Sequence, residues 1–303
     1  MIINSIKQSL AEKFYSKSCV LLVGEAGHTH SSAAAQGMNV GIHDVVNLAW
    51  KLGGVVRGYY IDDVLHTYET ERRPAAETLL RLDKTFSTLI SGKIPKDLAN
   101  SAIVDPNQLL HSTFLASIEF NIGLGIHYDP SIINVAPTTT MITPGHRAPD
   151  TLLHPPGARI PVHLFQLTKN TGSFWVIVLA GFPTHTSTGI HAFRKYIDDT
   201  SASFAHRFHP DTFRLLTIIA GSANQAEEAL GVPAFGNAYY DLDNSTHEKY
   251  GISPQAGAVV ILRPDGIFGF ATTLDRGQEV GDYFSGFAAK TVVSDGSGTT
   301  AVT

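Results

Sequence analysis

Cysteine is almost absent: Cys19 is the sole one in the chain. That excludes an internal disulfide and a cysteine-based zinc cluster. It fits a reducing, intracellular compartment, with a cytoplasmic location as the expectation. Long apolar runs are also missing. No stretch is long enough to span a bilayer, and the opening MIINSIKQSLAEKFYSKS has no apolar signal core. Cationic excess is missing too. The 22 Lys and Arg against 27 Asp and Glu leave a formal charge of -5, so neither nucleic acid nor an anionic membrane is an expected partner. Nor does a G-x-G-x-x-G follow any strand-like run. Gly53 and Gly54 come after a helical pattern, and Gly123 and Gly125 form a lone G-x-G with Tyr128 where a third glycine would stand. A pyrophosphate-binding turn of that type is therefore excluded.

What is present is an ordinary globular balance: 303 residues, 43% hydrophobic and 16% charged, enough for two cored domains. Ile3 to Phe14 reads as a short helix. Cys19 to Val23 is an apolar run ending in glycine, a buried strand opening into a loop. From about Asn39, Ile42, Val45, Val46, Ala49, Leu52 and Val56 follow helical spacing, with Gly58 as the stop. A second helix starts near Asp62, its expected N-cap. Pro74 should break or kink it before it resumes through Leu80 and Leu89. A further helix is expected from Asn107 to Ile122.

Between Pro144 and Pro156 the density of Pro and Gly reads as a linker. Beyond it, strands are expected at Arg159–Phe165, Phe174–Leu179 and Phe213–Ile219, and helices at Ile190–Ile197 and Ala223–Leu230. Ala258–Leu262 and Ile267–Phe270 should form a hairpin across Arg263-Pro264-Asp265-Gly266, because Pro-Asp-Gly is good turn chemistry. A last helix covers about Glu279–Ala289. Strand-helix-strand, then hairpin, then helix is the order of a thioredoxin-like fold. The domain expectation is therefore 1–143, a linker at 144–157, a thioredoxin-like unit at 158–290, and a frayed tail at 291–303.

Several blocks carry a family resemblance: GEAGHTH (Gly24 to His30), QGMNVGIHDVVNLAWKL (Gln36 to Leu52), YETERRP (Tyr68 to Pro74), GHRAPD (Gly145 to Asp150), YGI (Tyr250 to Ile252) and RPDG (Arg263 to Gly266). Together they resemble the C-terminal half of the FAD-dependent aromatic hydroxylases, the phenol 2-monooxygenase family. The resemblance implies an α/β chain: a mostly helical remnant of a FAD/substrate domain, then a thioredoxin-like α/β domain that serves as a structural and subunit-contact module. It implies FAD as the family cofactor. Cofactor contacts would come from Gly24, Glu25, Gln36, Gly37, Met38 and Asn39, with Glu25 on the ribityl chain. An aromatic small molecule would be the substrate, and a homo-oligomer or a complex with a related flavoprotein the assembly. Departures from the family pattern stand at Glu25, where Asp is usual, at Ser32 for Pro, and at Ala34 and Ala35 for Gly-Gly.

The missing glycine-rich turn shapes the functional expectation. The chain is expected to be a truncated homologue doing non-redox acid–base chemistry on an aromatic or polyketide-like molecule, with Glu25, His28 and His30 as the catalytic candidates. The alternatives are a FAD- and NAD(P)H-dependent hydroxylase completed by a partner chain or a longer gene product, and a non-catalytic partner of a full-length hydroxylase. His28 and His30 suit general acid–base work by their pKa range, or simply order the loop. Asp44 suits a first helical turn, and His43 lies beside it. Metal binding by His28, His30 and His43 lacks ligand spacing, so no metal is expected. Glu69, Glu71, Arg72 and Arg73 read as i,i+3 and i,i+4 helix pairs. Tyr59, Tyr60, Phe114, Phe120, His127 and Tyr128 could line an aromatic pocket or pack a core. No CxxC follows the Phe174 strand, so thiol redox work is excluded.

Overall fold

The computed structural model describes residues 8–17, 19–31, 37–99, 105–140, 142–221 and 230–290. The chain begins with two short antiparallel pairs. β1 (Ser9–Leu10) and β4 (His28–Thr29) form one; β2 (Tyr15–Ser16) and β3 (Val20–Leu21) form the other. Ser9 and Leu10 are thus in a strand, where a helix over Ile3–Phe14 is expected; residues 3–7 of that stretch lie outside the described residues. The Cys19–Val23 run is not a buried strand either. β3 pairs only with β2, and Val20 stays exposed.

Two long helices follow, α1 (Gly37–Val56) and α2 (Asp63–Ile90). α2 passes Pro74 without interruption, and Asp62 precedes it without a capping hydrogen bond. Burial on both sides of the proline, at Tyr68, Glu71, Arg72, Ala75, Ala76 and Leu79, holds the helix together where local preference would break it. Tertiary packing routinely outweighs such preferences. The expected Asn107–Ile122 helix divides at Ser117 into α3 (Pro106–Ala116) and a single turn, Ile118–Asn121. Asp105 caps α3 by accepting the Asn107 N–H, and Pro106 occupies its first position.

A minor pair, β5 (Leu152–Leu153) with β6 (Val162–His163), takes up little of the expected Arg159–Phe165 strand. The main sheet is built from β7 (Phe174–Gly181), β8 (Phe213–Ala220), β9 (Asn237–Asp241), β10 (Ala258–Leu262) and β11 (Phe268–Thr272), in the order β11-β10-β7-β8-β9. β7, β8 and β9 are parallel; β10 runs antiparallel to β7 and forms the expected hairpin with β11. The helix Pro183–Asp198 crosses from β7 to β8, and the helix Gly277–Ser285 is the last element among the described residues. The expected Ala223–Leu230 helix lies outside the described residues except for Leu230. β9 was missed because its Asn-Ala-Tyr-Tyr-Asp sequence has no long apolar run.

The central strands β7 and β10 read as apolar throughout, and β8 nearly so apart from Arg214 and Thr217, because both faces are covered. Phe174, Val176 and Val178 point to one side, where Phe193, Phe284 and Phe287 pack; Ile177 and Leu179 point to the other, with Tyr250, Ile252 and Leu262. The first core extends to Trp50, Tyr60 and Val64, so the end of α1 and the start of α2 are seated directly on the sheet.

Two adjacent glycines in α1 differ in their surroundings. A Cβ at Gly54 would fall 2.0 Å from the Tyr60 ring, whereas one at Gly53 would meet nothing within 4 Å. Gly54→Ala should therefore destabilise by about 1–3 kcal/mol through overpacking. Gly53→Ala should stabilise by up to about 1 kcal/mol through helix propensity. Urea denaturation midpoints of the two variants moving in the same direction would refute this.

Candidate functional site: a clamped loop over a buried charge cluster

The Gly24–Ser31 loop is held by two acids, one from each long helix. Gly24 adopts a left-handed φ of +58° and starts a short 3-10 turn, Gly24–Ala26. That conformation favours glycine. Its N–H donates to Asp44 Oδ2 at 3.1 Å. The same carboxylate accepts His28 Nε2 at 2.9 Å and Arg72 Nε at 2.7 Å, and Arg72 Nη1 reaches Tyr128 Oη at 3.1 Å. From α2, Asp83 accepts the N–H of Ser31 at 2.8 Å and its hydroxyl at 2.5 Å.

Asp44 is therefore not a first-turn dipole residue. It lies in the second turn of α1, fully buried, and anchors the loop. Burial pushes its pKa up, but the bond from His28 and the charge of Arg72 outweigh that and hold it below the usual carboxylate range. His28 is enclosed, with Nε2 committed to Asp44 and Nδ1 without a hydrogen-bond partner. His30 donates from Nδ1 to its neighbour's carbonyl, Ser31 O, at 2.8 Å, which leaves Nε2 as a buried acceptor without a partner. The ring lies against the start of α1: a Cβ at Gly37 would sit 3.1 Å from His30 Cε1. Glu25, Met38 and Asn39 are exposed, and Gln36, Ser32, Ala34 and Ala35 lie outside the described residues.

Beneath this loop the polar face of α1 meets α2 and the β10–β11 turn. Glu71 accepts both terminal nitrogens of Arg263, together with Lys51 Nζ at 2.7 Å, Asn47 Nδ2 at 2.7 Å and Asn134 Nδ2 at 3.0 Å. Arg263 also pairs with Asp265, Nη2 to Oδ2 at 2.6 Å, and Asp265 accepts the indole N–H of Trp50 at 3.1 Å. Two cations, Lys51 and Arg263, thus face two carboxylates, Glu71 and Asp265. Balance of this kind is what burial of charge requires. Burial raises the Glu71 pKa, but Arg263 and Lys51 outweigh it and hold the carboxyl far below its ordinary value. Burial, only partly offset by Glu71, brings Lys51 down to about 8.

The i,i+4 reading of the ERR block accounts only for Arg73 with Glu77. Glu71 and Arg72 make tertiary pairs instead, and Glu69 accepts the Tyr15 N–H. The six aromatic candidates do not converge. Phe120, His127 and Tyr128 line a cavity of about 170 Å³ beside Glu71, Tyr59 lines a different cavity of about 400 Å³, Tyr60 is core, and Phe114 is exposed. Lys51, Asp83, Asn134, Arg263 and Asp265 were not singled out from sequence as interacting residues. A lysine four residues after Asn47, and an arginine closing an all-apolar strand, were the available signals.

The outer face of α1 is apolar. Met38, Ile42, Val45, Val46, Leu52 and Val56 are all exposed, Val56 by 78% and Met38 by 77%. The helical spacing corresponds to α1, and the face it marks points away from the described chain.

Residues 126–292, more than half of the chain, match the family model of the phenol hydroxylase C-terminal dimerisation domain, and residues 3–83 match that of a FAD binding domain. The chain belongs to the phenol hydroxylase family. Relatives in this family include a phenol 2-monooxygenase of Aspergillus fumigatus, 27% identical over 93% of this chain and 50% of the relative. A 3-hydroxybenzoate 4-monooxygenase of Comamonas testosteroni is 28% identical over 88% and 46%. A pentachlorophenol 4-monooxygenase of Sphingobium chlorophenolicum is 32% identical over 87% and 44%. The chain spans about half the length of the curated relatives it matches. The fold is that of the flavin-dependent monooxygenase PieE, solved with FAD and substrate: TM-score 0.63, 17% identity, 92% of this chain and 49% of the other. Aklavinone-11 hydroxylase, solved with FAD and aklavinone, gives a TM-score of 0.60 at 18% identity, over 91% and 44%. FAD is thus the cofactor implied by family resemblance.

The described residues fit one end of a flavin. Glu25 is exposed on the loop, His30 Nε2 is an unsatisfied acceptor, and the start of a twenty-residue helix carries the partial positive charge that suits an electron-rich ring edge. The glycine-rich turn that would take the pyrophosphate is not among this chain's motifs.

Asp44 and Glu71 are both held below their ordinary values, so as pH falls the unfolded chain takes up protons first. Their stabilisation is complete above about pH 4.5 and is lost progressively below it. Asp44→Asn should cost about 3–5 kcal/mol at neutral pH by leaving Arg72 uncompensated, and should flatten the acid limb of the stability profile. An acid limb as steep as that of the unaltered chain would count against the role given to Asp44.

Proposed function

We propose that this chain supplies the loop-bearing and subunit-contact half of a FAD-dependent monooxygenase acting on an aromatic small molecule. The dinucleotide-gripping half, from the same gene product or a separate chain, packs on the outer face of α1. The observation that carries this reading is the orientation of that helix. Asp44, Asn47 and Lys51 point into the chain while Met38, Ile42, Val45, Val46, Leu52 and Val56 point out of it. A contiguous apolar face of this kind is a protein-contact surface. The substrate class follows the relatives, whose names give 3-hydroxybenzoate, 6-methylpretetramide and pentachlorophenol as what they act on. The dimerisation-domain match supports a subunit-contact role for the sheet.

FAD, when bound, supplies the redox chemistry; this chain's residues would hold and orient one end of it. Glu25 reaches the ribityl side, and His30 with the first turn of α1 faces the ring edge. Asp44 and Asp83 hold the loop in register for both. Non-redox acid–base work by Glu25, His28 and His30 has less support, because His28 is shut between Asp44 and Phe14 and only Glu25 is exposed.

The chain alone should bind FAD no more tightly than about 10 µM, since the pyrophosphate contacts are missing. Co-expression with the dinucleotide-binding half of a phenol 2-monooxygenase should yield a yellow complex, and Val45→Lys should abolish that gain. Stoichiometric FAD retained by the purified chain alone, or a gain untouched by Val45→Lys, would overturn the proposal.

A further inference from the structure

At the opposite end of α1, where it meets the main sheet, lies a cavity of about 400 Å³ walled by Trp50, Gly53, Arg57, Tyr59, Gly172 and Arg214. At about 1.5 Å of rise per residue, Gly53 lies roughly 24 Å along the helix from Gly37, well away from the clamped loop. We propose that this cavity binds a small organic molecule carrying an oxyanion, a phosphate or a carboxylate, gripped between the Arg57 and Arg214 guanidinium groups.

Three observations point to it. First, both arginines line the cavity and neither forms an ion pair among the described residues. Arg214 donates from Nε to Thr171 Oγ1 at 3.3 Å, a neutral partner. The carboxylate on this wall, Asp211, is paired with neither arginine: it accepts Tyr59 Oη, also on the wall, at 3.2 Å and lies 3.9 Å from His209 Nδ1. Two guanidinium groups without a carboxylate partner present a bidentate oxyanion grip. Second, Gly53 stands in the interior of α1 with no packing reason, since a Cβ there would meet nothing within 4 Å. A helix-interior glycine costs about 1 kcal/mol relative to alanine, and the bare backbone it leaves opens onto this cavity. Third, the inner wall is fixed by the core through Trp50 and Tyr60, while Tyr59 and the two arginines form its outer rim. Trp50 packs edge-on against Tyr60 and Phe174, Tyr60 Oη donates to Gly172 O at 2.9 Å, and Tyr59 stacks on His209 at 4.3 Å between ring centroids. The volume exceeds what an inorganic ion fills and falls within the range of small-molecule sites, so an organic body accompanies the charge.

The test is a titration of the full chain with phenyl phosphate, benzoate and inorganic phosphate at low ionic strength, read by tryptophan fluorescence and calorimetry. Saturable binding of phenyl phosphate or benzoate is expected, tighter than that of inorganic phosphate and weakened by added salt. Arg214→Gln and Arg57→Gln should each weaken it by about tenfold. Gly53→Leu should block it by filling the cavity, whereas the remote Lys195→Gln should leave it unchanged. Circular dichroism melts unchanged in the arginine variants separate loss of binding from loss of fold. No saturation with any of the three probes by about 10 mM, weaker than the millimolar range in which a single small anion binds, would overturn the proposal. So would equal affinity in the Arg57→Gln/Arg214→Gln double variant. Preference between phenyl phosphate and benzoate then tells which oxyanion the site takes.

Discussion

The bidentate pair between Glu71 and Arg263 is the interaction on which the rest of the structure depends. It joins the first third of α2 to the start of the β10–β11 turn, residues separated by 192 positions in the chain. Both groups are almost wholly buried. Charges so placed are tolerable only with every lone pair and proton matched, and Lys51, Asn47, Asn134 and Asp265 do the matching. Breaking one member strands the others. The helices are thereby fastened to the sheet by polar contacts with fixed geometry, beside the apolar seam of Trp50, Tyr60 and Val64.

This constraint turns α1 inside out. Its polar stripe must face inward to supply Asn47 and Lys51 to Glu71, and Asp44 to Arg72. The apolar stripe is then left facing outward, as the surface proposed for docking of another flavoprotein half. The same inward stripe fixes the loop, because Asp44 reaches both Gly24 and His28. Fold stability, loop geometry and the proposed docking face are three consequences of one helix orientation. The cavity at Arg57 and Arg214 exists because the far end of that helix rests on the sheet through Trp50 and Tyr60 while Gly53 leaves a gap.

Much of the sheet was legible in the sequence. β7 and β10 are unbroken apolar runs and β8 is interrupted only by Arg214 and Thr217, and Arg263-Pro264-Asp265-Gly266 closes with the Gly266 N–H on Arg263 O at 3.0 Å, as its turn chemistry requires. The family was legible from several blocks in order. The facing of α1 was not, since periodicity tells which residues share a side but not what covers that side. Pro74 misled because local breaking preference was overridden by burial on both flanks. The charge cluster was invisible because its members come from α1, α2, the Asn134 segment and the hairpin turn, and no spacing rule links them. Asp44 was read through the helix dipole when its partners, His28 and Arg72, lie on other elements.

The central claim is that the Glu71–Arg263 pair couples the helical layer to the sheet. A double-mutant cycle with Glu71→Gln and Arg263→Met, read by urea unfolding with far-ultraviolet circular dichroism and tryptophan fluorescence together, tests it most directly. The account predicts a coupling energy of at least about 2 kcal/mol, a single transition seen by both probes in the unaltered chain, and separated transitions in the single variants. A coupling energy near zero, with one coincident transition in every variant, would contradict it.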